Sequence, residues 1–172
     1  MRISVLGNAG SGKSTLAHWL AKRWGAAVLD LDTVAWEPGQ VAVPRSAEAA
    51  RGDIVAFCGA NRHWVVEGCY GTLVGVTLSF NPALLFLNPG ETQCIAHCLS
   101  RPWESHKYSS QDEQDKHLEF LLSWVRDYYS REGDMSLSGH RACFEAYAGR
   151  KHEFREPVAL EAPPPELLAC LA

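Results

Sequence analysis

The sequence has no apolar run long enough to span a bilayer. It also has no charged-then-apolar leader, because a glycine-rich motif already begins at position 7. These two absences point to a cytoplasmic protein without a membrane partner. There is no CxxC pair: Cys58, Cys69, Cys94, Cys98, Cys143 and Cys170 are scattered, which argues against a zinc site and against a disulfide framework. Cys94 and Cys98 could share a helix face with His97 between them, a metal pattern in outline only, set against the plainer reading of reduced, packed thiols. Positive charge is in short supply, with 16 Lys plus Arg against 20 Asp plus Glu and a net charge of −4. A broad basic face for nucleic acid is therefore not expected, although a local basic pocket for phosphates is compatible with that balance. Internal repeats and low-complexity tracts are missing too. What remains is an ordinary globular composition, 47% hydrophobic and 21% charged over 172 residues, enough for one domain spanning 1–172 with a sizeable core. Monomer and homodimer both fit it.

The motif at position 7 organises the rest. Gly7, Asn8, Ala9, Gly10, Ser11, Gly12, Lys13 and Ser14, followed by Thr15, read GxxxxGKS, the Walker A pattern of a phosphate-binding loop. Its context fits: Ile3, Val5 and Leu6 form a short β-prone run before it, and Leu16, Leu20 and Trp24 recur at helical spacing after it. The glycines allow backbone angles and close approach that a Cβ would forbid, so that successive N–H groups can face phosphate oxygens. The helix beginning near Lys13 adds the positive end of its dipole. Lys13 is the residue to reach the β- and γ-phosphates, and the Ser14 hydroxyl is the one to ligate Mg²⁺. The plainer alternative is a glycine-rich turn that only caps a helix.

Along the chain, the pattern predicts a helix over 13–24 stopped by Gly25, and a short buried strand over 26–30. This βαβ opening implies a parallel sheet with helices on both faces. A helix over 46–60, a strand over 64–68, a buried strand ending at Leu87 and a helix over 91–100 follow. Next come an amphipathic helix over about 112–131 and another over 137–148. A last strand is expected at 157–161, with 151–155 as its competitor, before a terminal helix over 166–171. Ligands of an open α/β sheet sit outside the carboxyl ends of the strands, which singles out residues at those ends. Asp32, after the second strand, could hold a substrate hydroxyl or the water shell of Mg²⁺, or could simply cap a turn. Glu67, ending the third strand, stands where a Mg²⁺-organising group or a general base would sit, with a capping or surface glutamate as the alternative. Trp36 and Tyr70 could line an acceptor pocket or cover core, and Arg45 could meet an anionic acceptor group or be solvated. The polar stretch 101–111, with Arg101, His106 and Lys107, has no apolar period and could close as a basic lid on a transferring phosphoryl group.

These blocks resemble the small P-loop kinases of the nucleoside-monophosphate, shikimate and gluconate kinase group, and within it the adenylate-kinase-like branch labelled topology modulation protein. The resemblance rests on Gly7 to Thr15, on Leu31-Asp32 with Trp36-Glu37-Pro38-Gly39, and on Val65-Val66-Glu67-Gly68-Cys69-Tyr70, and it covers about the first hundred residues. It implies a three-layer α/β fold with a five-stranded parallel sheet in order 2-3-1-4-5 and a helical lid at about 101–131. It also implies ATP and Mg²⁺ as cofactors, with Ser14, Asp32 and Glu67 around the metal. The loop near Pro163 would pass the adenine, and Lys13, Glu67, Arg101 and Lys107 would carry phosphoryl transfer to a small acceptor held by Asp32, Trp36, Arg45 and Tyr70. The chain departs from that pattern in having Glu67 where Asp is common, Cys69 where Asn is common and Gln40 where a second Trp is common. It also has Gly71 and Thr72 where the monophosphate kinases carry an arginine, and few arginines in the lid. Two other readings stay open beside the kinase: a nucleotide-dependent switch that hydrolyses without an acceptor, and a binder that has lost its chemistry.

Overall fold

A computed structural model describes residues 1–37, 43–103 and 110–171. The apolar run at the start forms strand β1 (Arg2–Gly7), and α1 (Lys13–Trp24) follows the glycine-rich loop. Strand β2 (Ala27–Asp30) leads into a single turn of helix, α2 (Asp32–Ala35), and then α3 (Ala47–Ala60). Strand β3 (Trp64–Gly68), α4 (Gly71–Thr77), β4 (Ala83–Leu87) and α5 (Glu91–Leu99) complete the first half. The second half adds α6 (Gln111–Asp127), α7 (Leu137–Ala146), β5 (Lys151–Phe154) and α8 (Pro165–Leu171).

The five strands are all parallel in the order β2-β3-β1-β4-β5. Alternation along β1 divides the core. Ile3 and Val5 face α1 and α8, packing with Leu16, Leu20 and Leu167, while Leu6 faces the opposite layer with Ile54, Val74 and Trp64. Strands β3 and β4 are buried along their whole length, as a sheet covered on both faces requires. A smaller apolar cluster joins α5 to α6 through Cys94, Cys98, Leu122 and Val125. All six cysteines are free, and burial pushes the thiols of Cys58, Cys69 and Cys94 up to about 11, so they are packed, protonated groups.

Two expectations need correction. The last strand is Lys151–Phe154, whereas Pro157–Glu161 is an irregular segment. Strand β5 pairs with β4 alone at the sheet edge, so its Lys-His-Glu-Phe sequence keeps polar groups on partly open faces and lacks a buried strand's apolar signature. The amphipathic helix ends at Asp127, not near 131, because Arg131 turns back to bond the carbonyls of Trp124 and Met135 and lies over the Trp124 ring. The segment expected to form a lid contains α6 packed on α5, while His106 and Lys107 lie outside the described residues. Among the described residues, no helix is long and apolar enough to cross a membrane.

Candidate nucleotide and acceptor site

The loop between β1 and α1 is shaped by its backbone. Gly10 (φ 75°) and Gly12 (φ 93°) are both left-handed, and a Cβ on Gly10 would run into the Cys94 carbonyl oxygen and the Cys98 sulfur of α5. Helix α1 opens at Gly12 with no side-chain cap and no acidic residue in its first turn. By contrast, the serines Ser46, Ser110 and Ser136 cap α3, α6 and α7 by accepting an N–H three residues on. The first-turn N–H groups of α1 are thus left for an external acceptor at the positive end of the helix dipole, an arrangement that suits phosphate.

Side chains then fasten the loop to its surroundings. The Lys13 ammonium donates to the Asn8 carbonyl oxygen at 2.9 Å, which folds the side chain back over the loop. Asn8 is itself buried, accepting from Ala9 N–H at 2.8 Å and donating to the Val125 carbonyl of α6 at 3.0 Å. His97 on α5 meets the Gly10 carbonyl oxygen at 2.8 Å through Nδ1 and Gln93 at 2.8 Å through Nε2. Because a carbonyl only accepts, Nδ1 carries the proton and Nε2 accepts from the Gln93 amide. In the sequence His97 stands out only as a companion of Cys94 and Cys98. Its partner in the loop, Gly10, lies 87 positions away, so no local spacing carried that signal.

A cavity of about 550 Å³ runs over this loop. Its walls follow the strand order: Asp30 and Asp32 after β2, then Glu67 to Cys69 at the end of β3. The loop from Ala9 to Leu16 follows β1, then His97 with Ser100, Arg101 and Pro102 beyond β4, and last Pro157, Val158 and Leu160 after β5. Pro157, Val158 and Leu160 line it where the resemblance pointed to Pro163. Lys13, Ser14, Thr15, Asp32, Glu67 and Arg101 thus share one space, while Trp36, Arg45 and Tyr70 are not among its lining residues.

Each carboxylate has a defined partner. The Ser14 hydroxyl donates to Glu67 Oε1 at 2.6 Å, joining two of the three residues expected around a metal. Burial raises the Glu67 carboxyl above its ordinary range, Lys13 opposes the rise, and Asp30 and Asp32 add to it. Asp30 stands opposite Glu67 in the sheet register and accepts the Asp32 backbone N–H at 2.9 Å. The Tyr70 hydroxyl donates to Asp32 Oδ1 at 2.7 Å and itself accepts from Trp36 Nε1–H at 2.8 Å, so the two aromatics stand behind Asp32. Arg45 closes on Asp53 at 2.5 Å and also donates to the Val34 carbonyl at 3.5 Å. Beneath the β3–α4 turn, His140 donates Nε2–H to the Cys69 carbonyl at 2.7 Å and accepts from the Tyr128 hydroxyl at 2.8 Å, and burial pushes its pKa down to about 4.

Among the described residues, no three His, Cys, Asp or Glu side chains gather into a metal cage. A nucleotide-bound Mg²⁺ needs only one or two protein groups beside phosphate and water oxygens, and the paired hydroxyl and carboxylate of Ser14 and Glu67 suit that role. The glycine cradle, which a Cβ would fill, likewise suits a polyphosphate.

No protein-family model matches the chain, and no curated protein matches it. Solved structures do share its fold. A gluconokinase from Sinorhizobium meliloti 1021 aligns with a TM-score of 0.52 at 18% identity, over 99% of this chain and 90% of that one. A shikimate kinase from Bacteroides thetaiotaomicron gives 0.53 at 14% identity, over 92% and 88%. The deoxyadenosine kinase of M. mycoides, solved with dATP, gives 0.51 at 12% identity, over 99% of both chains. The chain therefore shares its fold with these three kinases, and it has the five-stranded parallel sheet that the sequence resemblance implied.

Proposed function

We propose that the chain is a cytoplasmic phosphotransferase that uses ATP and Mg²⁺ to phosphorylate a hydroxyl group of a small acceptor. The observation that carries this reading is the uncapped N-terminus of α1 and its left-handed glycine loop opening into the same cavity as Asp32 and Glu67. A phosphate cradle alone would suit any nucleotide binder. A cradle facing carboxylates at the ends of two neighbouring strands suits transfer between two bound substrates, because an acceptor placed there lies beyond the phosphate end. The kinase folds of the structural neighbours agree with it.

Bound Mg·ATP would supply the transferable phosphoryl group and a divalent charge. The chain's own groups then have separate tasks. The N–H groups of the loop and first turn hold phosphate oxygens, and Lys13, buried against Asn8, brings a positive charge without lengthy reorganisation. Ser14 and Glu67 would hold the metal, and Asp32 would accept the hydrogen bond of the acceptor hydroxyl. Arg101 adds charge from beyond α5, as Lys107 would from the following segment. Pro157, Val158 and Leu160 offer an apolar wall to the base.

The test is ADP release from purified protein with Mg·ATP, alone and with hydroxyl-bearing compounds. Release stimulated by an acceptor, and abolished in Lys13→Ala with the circular-dichroism spectrum unchanged, supports the reading. Acceptor-independent hydrolysis would replace it with a nucleotide switch, and binding without turnover with a degenerate binder.

A further inference from the structure

The strand order lays charge out along the cavity. At the β2–β3 end stand Asp30, Asp32 and Glu67, with Asp30 opposite Glu67 in the register. The lysine and arginine lining the cavity among the described residues are Lys13, at the start of α1, and Arg101, beyond α5 on the β4 side. An acceptor lying beyond the phosphates therefore meets carboxylates first.

Two further arrangements sharpen this. Tyr70 has one hydroxyl proton and gives it to Asp32, and Trp36 gives its only side-chain proton to Tyr70. Every donor in the relay thus points toward Asp32, whose remaining lone pairs can only accept. The site here asks for a ligand that donates. Arg45, the cation expected to meet an anionic acceptor, is held behind α2 by the Asp53 carboxylate and the Val34 carbonyl, and its side chain is only 19% exposed. Its charge is already neutralised.

We propose that the acceptor is a hydroxyl compound bearing neither carboxylate nor phosphate, an uncharged polyol or an amino-substituted one, whose hydroxyl donates to Asp32. Tyr70 and Trp36 are positioning residues that fix that carboxylate. This assignment rests on the phosphotransferase reading above. In the transfer the acceptor oxygen forms a bond to the γ-phosphorus as the bond from that phosphorus to the β,γ-bridging oxygen breaks. The acceptor proton passes to Asp32, and ADP leaves with the bridging oxygen.

The experiment compares kcat/KM of the full chain with Mg·ATP for three sets of compounds at matched concentration. The first is uncharged polyols and nucleosides, the second amino sugars and amino alcohols, the third hydroxy acids and nucleoside monophosphates. The best member of the first two sets should exceed the best of the third by at least tenfold. Asp53→Asn, which releases Arg45, should raise kcat/KM for the anionic set about fivefold and leave the uncharged set within twofold. Tyr70→Phe should lower kcat about tenfold with the KM for ATP unchanged, and Trp36→Phe should give a smaller loss of the same kind should Tyr70→Phe fail to fold. A hydroxy acid or monophosphate as best substrate overturns the assignment, and so does binding of Mg·ATP without transfer to either of the first two sets. Failure to bind Mg·ATP at all would instead remove the phosphotransferase reading beneath it.

Discussion

The two halves of the cavity are built by different means. On the β1–β4 side, the phosphate cradle is written in the backbone, with two left-handed glycines, an uncapped helix and a loop tied down by Asn8, His97 and Lys13. On the β2–β3 side, the backbone is ordinary, and shape comes from side chains reaching one another across the fold: Trp36 to Tyr70 to Asp32, and Tyr128 to His140 to the Cys69 carbonyl. A backbone cradle can recognise what all nucleotides share, whereas a relay of side chains can be altered one residue at a time. The first half is thus suited to a constant ligand and the second to a particular one.

The contrast can be broken from either side. The largest effect should come from Lys13→Ala, with phosphoryl transfer down on the order of 10²–10³-fold and little change in melting temperature, read from ADP release and thermal unfolding. Acid should damage the other half first. His140 is kept neutral by burial, with its pKa lowered to about 4, so the folded state binds its proton less readily than the unfolded chain does. Stability is full above the unfolded value near 6.5 and is lost as pH falls from there toward 4, by about 3 kcal/mol in all. Urea titrations across that window should show the loss, and His140→Gln should flatten it. Gly10→Ala should cost about 2–3 kcal/mol, since the new Cβ meets α5 and the left-handed angle is strained, and should weaken ATP binding in calorimetry.

Smaller effects locate the boundary between the halves. His97→Ala leaves the Gly10 carbonyl without its partner and should raise the KM for ATP about tenfold while the KM for the acceptor stays within twofold. A matching rise in both would mean that the halves are not separable. Ser46→Ala removes a cap on α3, far from either half, and should cost about 1 kcal/mol in chemical denaturation with unchanged turnover.

The same division decides how much could be read without coordinates. The phosphate loop was legible because its signature is contiguous: GxxxxGKS can be read as one string, although the contacts that Gly7 and Gly10 answer to, at Leu87 and Cys94, lie far along the chain. The strand order followed from the resemblance that this motif and the Asp32 and Glu67 blocks carried, and the sheet has that order. The relay was not legible. Trp36 and Tyr70 are 34 residues apart in sequence, and only the fold reveals that both serve Asp32 from behind. Arg45 had an acidic partner just eight residues on, yet an exposed arginine and a paired one look alike in a string. Strand β5 was misplaced for the converse reason. Pro157, Val158 and Leu160 line the cavity, while the largely polar run 151–154 finds its place by pairing with β4.

One bond carries a consequence for how the molecule is assembled. Asn8 fixes the phosphate loop to the carbonyl of Val125, a partner 117 positions away. Closing a contact of that span is slow compared with forming the neighbouring helix, because chain entropy must be overcome before the bond can form. During synthesis, β1 and α1 emerge before α6 and can take up their local structure, but the loop between them lacks its anchor until α6 has left the ribosome and docked. The anchored form of this loop is thus among the last features of the fold to mature.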